Sequence, residues 1–148
     1  MTREYDDCLK RGKIKPFSRG KGLAGKELET AANDLATAKK TLEDGTYKWC
    51  VVQLYYAMFH AARALLYAKN LREHSHFCLI EAVRVLYVET GQVPVTLVEA
   101  LQKAKILREE ADYYNRWSAE SCRSLSEAAE VFLSRAGEII AKQGGTEI

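Results

Sequence analysis

The chain has 148 residues, 47% of them hydrophobic and 28% charged, with a formal net charge of +2. That is enough apolar material for one buried core, and too little net charge for the broad basic surface of a dedicated DNA binder. Two prolines and nine glycines favour a few long helices over many short strands.

The charge is uneven. Residues 1–26 carry 8 Lys and Arg against 3 Asp and Glu, and the remainder carries 14 against 17. This basic leader reads as a solvated tail with a short helix at Tyr5–Leu9, able to touch an anionic partner. No stretch reads as a signal peptide or a membrane span, so the expected address is the cytoplasm, away from membranes.

A second helix follows, in which Leu28, Ala31, Leu35, Ala38 and Leu42 recur at steps of three and four, the period of a buried stripe. Asp44-Gly45 stops it and Thr46 is placed to cap the next. That third helix, Tyr47 to Lys69, is apolar on most sides through Trp49, Val52, Leu54, Phe59, Ala62, Leu65 and Leu66, so it must be enclosed. Asn70 to Ser75 is a polar turn with Ser75 as a cap. Leu79, Val83, Leu86 and Tyr87 make the face of a fourth helix ending near Gly91. Thr96 and Glu99 match a capping box for a fifth helix with the stripe Leu97, Leu101, Ala104 and Ala111. Ser118 opens a last helix, in which Leu125, Ala129, Phe132, Ala136 and Ile139 face the core, and residues 144–148 read as a frayed tail. Short connections between long helices predict an all-α, antiparallel up-and-down bundle of four main helices plus one or two additional ones. The organisation read from the sequence is a leader over 1–26 and a bundle over 27–143.

The cysteines at 8, 50, 78 and 122 fall inside predicted helices without C-x-x-C spacing, and are expected as free thiols with no metal bound. The chemistry-bearing residues sit in three groups. Gln53, Tyr56, His60, Arg63 and Tyr67 form one polar strip along the third helix. A buried Arg or His needs partners, so the strip is either a hydrogen-bonded seam against carboxylates or a phosphate-facing groove. Arg108, Glu109, Asp112 and Tyr113 form the second group; Asp112 can pair with Arg108 one turn away or reach across to Arg63 or His60. His74 and His76 form the third, either packed or capping, or with one of them acting as acid or base beside Arg72 or Arg108. Phosphate-binding glycine loops and nucleophile elbows are absent, and no cofactor is expected.

The run YYAMFHAARALLYAKNLREHSHFCLIEAV, preceded by LEDGTYKWCVVQL and followed later by LREEADYYN, resembles the small stand-alone prokaryotic branch of the HEPN domain family, over about Gly25 to Ala141. The resemblance implies a helical bundle assembled as a homodimer, often beside a minimal nucleotidyltransferase partner. In several branches an arginine and a histidine separated by four to six residues meet across a dimer cleft and cleave RNA without metal. Here Arg72 and His76 have three residues between them. The resemblance carries over to Tyr55, Tyr56, His60 and Arg63 and to Arg108 through Tyr113. It implies a nucleotide- or RNA-associated interaction subunit of a two-component nucleotidyltransferase or toxin–antitoxin type system. In that reading Tyr56, His60, Arg63, Arg108, Asp112 and Tyr113 face the nucleotide or phosphate. The alternatives are a metal-independent RNase using His60, His76, Arg63 and Arg108, and a helical scaffold with no nucleotide ligand.

Overall fold

Helical periodicity decides the architecture, and a computed structural model describes it for residues 2–145. Four long helices, α2 (Gly20–Glu43), α3 (Tyr47–Tyr67), α5 (Val95–Tyr114) and α6 (Ala119–Gly145), make the bundle. Two short ones, α1 (Arg3–Lys10) and α4 (His76–Val83), flank it. The bundle is all-α apart from a two-stranded antiparallel pair, β1 (Ile14–Pro16) with β2 (Leu71–Glu73). The tail is expected over 144–148, but α6 runs through Gly145; residues 146–148 lie outside the described residues. No helix among them is long and apolar enough to cross a membrane.

The predicted stripes are the ones that pack. Ala31, Leu35 and Ala38 of α2, Leu97, Leu101, Ala104 and Ala111 of α5, and Leu125, Ala129, Phe132, Ala136 and Ile139 of α6 are all buried. They close around α3, which contributes 13 buried residues and runs through the middle of the bundle. Burial of apolar surface on this scale is the main force holding the helices together.

Four local expectations are corrected. Thr46 stands at the start of α3 but makes no side-chain cap. Thr96 and Glu99 form no capping box, because Pro94 takes the N-cap position of α5 and Val95 the first helical one; the fixed φ of proline, −61° here, sets the entry instead. The polar turn before α4 contains β2. Beyond Val83 the fourth helix widens into a π turn over Arg84–Val88, which carries Tyr87 inward so that its hydroxyl donates to the Leu65 carbonyl at 2.6 Å. Ser75 and Ser118 do cap α4 and α6, their hydroxyls accepting from the Cys78 and Ser121 amides.

The largest departure concerns the leader. It is no solvated tail: Tyr5, Cys8 and Ile14 are buried, Ile14 stands opposite Glu73 in the strand pair, and the His74 amide donates to the Lys13 carbonyl at 2.8 Å. Cys8 and Cys78, expected as free thiols, form a disulfide between α1 and α4. A separation of 70 residues hides this pairing from any reading of local spacing. Cys50 and Cys122 are free and buried, and burial pushes the Cys50 thiol up to about 12.

Gly20 shows how tightly α2 docks on the end of α3. A Cβ there would stand 2.6 Å from the Tyr67 carbonyl oxygen, whereas one at Gly22 would meet nothing within 4 Å. Gly20→Ala is therefore expected to destabilise by about 1–3 kcal/mol. Gly22→Ala, by contrast, should be neutral or stabilise by up to about 1 kcal/mol, since it relieves the cost of glycine in a helix. Thermal melts of the two variants check the contrast, and equal behaviour would contradict the close approach.

Candidate functional site

The strip on α3 divides into two environments. Toward α2 and β2 it is the carboxylate seam. His60 Nδ1 lies 2.6 Å from Glu27 Oε2, with its other nitrogen 3.7 Å from Asp34. Arg63 binds both oxygens of Glu73 through Nε at 3.0 Å and Nη2 at 2.7 Å, and its Nη1 lies 3.7 Å from Glu27. Glu73 is only 4% exposed. Burial pulls the Arg63 guanidinium down, but its hydrogen bonds to Glu73 outweigh that and leave its pKa raised. A forked pair of this kind is the strongest geometry available to a buried carboxylate. An incoming phosphate would meet Glu27, Asp34 and Glu73 here before it met a free donor.

On the other side of Phe59 the surroundings change. The Ser75 cap starts α4 and places His76 at its first position, with the imidazole against α3. Its ring centre is 4.5 Å from that of Phe59, 5.8 Å from Tyr55 and 6.4 Å from Tyr56. The Tyr55 hydroxyl and His76 Nδ1 are 2.6 Å apart. Arg108 of α5 shares the same rings, its guanidinium 5.3 Å from the centre of Tyr55 and 5.8 Å from that of Tyr56. It pairs with Asp112 at 3.5 Å, while its Nε is buried without a hydrogen-bond partner. Asp112 thus takes the local option and does not reach His60 or Arg63.

This corner tunes its titratable groups. Burial first, and then the Arg108 charge, hold the His76 imidazole below its ordinary value. Burial pushes the Tyr55 phenol well up, so it remains a neutral hydroxyl able to donate to Nδ1 or accept from it. Because the folded protein binds the His76 proton more weakly than the unfolded chain, this group's contribution to stability is complete above about pH 6.5. It is lost as pH falls through the lowered folded value. Proton NMR of the imidazole should show a midpoint under 6.5 that moves up in Arg108→Ala. A midpoint unmoved by that change would remove Arg108 from its surroundings.

Of the remaining candidates, Tyr113 is exposed at the end of α5 but hydrogen-bonds Arg108, and Tyr67 is buried. His74 is exposed, and Arg72 lies over the Phe17 ring, 5.5 Å from its centre. Among the described residues no group of three His, Cys, Asp or Glu is placed to hold a metal ion. A groove of about 330 Å³ lies along Leu97, Val131 and Arg135, and a wider one of about 960 Å³ lies along α1 beside Phe77; neither is lined by His76 or Arg108. The sequence reading did not single out Glu27, Asp34 or Glu73. Glu27 and Asp34 are seven residues apart, hence on one helical face, which was the one available signal; Glu73 sat in an irregular segment and offered none.

Comparison with known proteins finds the family model described as the HEPN domain matching residues 25–144. A Methanocaldococcus jannaschii protein named "Putative toxin MJ0605" is 33% identical over 109 residues, covering 73% of this chain and 81% of that one. A UPF0332 protein of Archaeoglobus fulgidus is 34% identical over 107 residues, covering 71% and 85%. A second M. jannaschii protein, "Putative toxin MJ0142", is 27% identical over 88 residues and 60% of each chain.

Proposed function

The chain belongs to the HEPN domain family, and from that premise we propose that it is a toxin-type protein that cleaves single-stranded RNA without a metal at the corner formed by His76 and Arg108. In this reading it works as a homodimer, and a nucleotidyltransferase-type partner holds it in check. The observation that carries the reading is the contrast among the three histidines. His60 is held by carboxylates and His74 is exposed. His76 alone pairs a hydroxyl-anchored Nδ1 with a guanidinium sharing its aromatic floor. Two relatives carry the word toxin in their names.

The chemistry asks for three things: a base for the 2′-hydroxyl, an acid for the departing 5′-oxygen, and positive charge at the phosphorus in flight. A neutral His76 takes the 2′-proton through Nε2. The 2′-oxygen attacks phosphorus, the bond to the 5′-oxygen breaks, and a second, protonated imidazole supplies the proton that oxygen needs. The products are a 2′,3′-cyclic phosphate and a 5′-hydroxyl. Arg108 offsets the charge on the equatorial oxygens. One chain holds one such imidazole, so two copies facing each other supply the pair. His60 and Arg63 hold α2 and β2 in place beneath the site.

The test is incubation of the purified dimer with single-stranded RNA and its 2′-deoxy equivalent in excess EDTA. Cleavage of the RNA alone, leaving cyclic phosphate ends, is expected. No cleavage of varied RNAs by a partner-free dimer overturns the nuclease reading. Stable capture of a nucleotidyltransferase in that case would make the chain an interaction subunit.

A further inference from the structure

Two tryptophans are the chain's entire complement, and neither is spent on the core. Trp49 is 53% exposed and Trp117 45%, although one opens α3 and the other lies in the connection between α5 and α6. A single ammonium stands between them: Lys48 Nζ is 5.3 Å from the centre of the Trp49 ring and 5.8 Å from that of Trp117. The same nitrogen lies 3.4 Å from Asn115 Oδ1. Asn115 ends α5 in the left-handed conformation, φ 52°, which turns the chain back toward the start of α3.

This patch continues into the site. Trp49 precedes Tyr56 by seven residues of unbroken α-helix, so the two lie on one face about 10 Å apart. Gln53 lies between them, with its Oε1 buried and without a hydrogen-bond partner, as is Arg108 Nε on the α5 side. The seam from Trp49 to Arg108 thus carries an acceptor and a donor not satisfied within the described residues, which native proteins rarely leave so.

We propose that Trp49 and Trp117, with Lys48 between them, form a stacking platform for unpaired RNA bases that flank the phosphate at the His76–Arg108 corner. The proposal rests on the RNA-directed reading above and adds to it a second binding site, one that accounts for the choice of an unpaired strand. Base–aromatic stacking is tolerant of sequence, and the flexible Lys48 ammonium, which lies over both rings in the free protein, gives way to a base and meets the backbone phosphate. Duplex RNA keeps its base faces covered and cannot use such a surface. A protein partner fits less well, since the centres of protein interfaces are depleted in lysine, and here the lysine is the centre.

Tryptophan fluorescence of the full chain reads the platform directly, with no label. A short single-stranded RNA made uncleavable by 2′-O-methylation is expected to quench the wild-type emission to saturation, while the matching duplex quenches little. By anisotropy of labelled RNA, Trp49→Ala or Trp117→Ala weakens binding about 10-fold, and Trp49→Phe restores most of it; circular dichroism confirms that each variant is folded. RNA that binds or is cleaved without quenching overturns the platform and leaves the nuclease reading standing. Quenching by the modified strand while unmodified RNA stays intact upholds the platform and removes the nuclease. An emission shift that follows protein concentration and ignores RNA assigns the face to a second copy, and so overturns the proposal.

Discussion

His76→Ala is expected to lower metal-independent RNA cleavage about 10²-fold or more while the bundle stays folded. The imidazole is the one titratable nitrogen at the corner that can both take and return a proton near neutrality. Arg108 stays charged and can only stabilise, and the Tyr55 phenol is held neutral by burial. Removing the ring also takes from the Tyr55 hydroxyl, on a residue 1% exposed, its contact with the imidazole and leaves it only Arg108, so Tyr55→Phe is the control. It keeps the imidazole, loses the 2.6 Å contact, and should cost a smaller factor in rate. His60→Ala should leave the rate nearer wild type, because that ring faces Glu27 and Asp34. Single-turnover cleavage beside a thermal melt of each variant makes the comparison. Equal cleavage by wild type and His76→Ala would mean a contaminating nuclease.

The largest effect on stability is expected from Glu73→Ala. It leaves the Arg63 guanidinium, with a side chain 23% exposed, without its forked partner. Breaking a buried pair from one side costs about 3–5 kcal/mol, which for a chain of this size lowers Tm by roughly 10 °C. Exchanging both partners for apolar residues, Arg63→Met with Glu73→Leu, should recover much of that loss, since the remaining penalty is that of an unpaired charge. Glu27→Ala should cost less, because His60 keeps Asp34 and Arg63 keeps Glu73. A Tm for Glu73→Ala within a degree or two of wild type would show that water already serves the pair.

The bundle was legible because its signal is periodic: Ala31, Leu35 and Ala38, or Leu125, Ala129 and Phe132, repeat at helical spacing, and every one of them is buried. The candidate site was legible by half. The strip through His60 and Arg63 could be drawn from spacing on one helix, and its need for carboxylates followed from the cost of burying charge. Which carboxylates, and that His76 rather than His60 lies beside Arg108, depended on how α4 and β2 fold back on α3, which local spacing does not encode. The leader was misread for the same reason. Lys10, Arg11, Lys13 and Lys15 look like a solvated run, and β1 is too short to show a period of two. Trp49 misled in the other direction, counted as apolar packing while standing half in water.

The bond between Cys8 and Cys78 sets how far the β1–β2 corner can open. Cys8 lies just before β1 and Cys78 just after β2, so the link and the strand pair close a small loop of chain. Were all hydrogen bonds of the pair to break, the strands could part only by the slack in the few residues on either side. Glu73, the anchor of Arg63, is on that leash, and so is His76, two residues from the sulfur. Thermal breathing at this edge is therefore confined to short excursions with return close at hand, and the leader can loosen from the bundle without being lost to it.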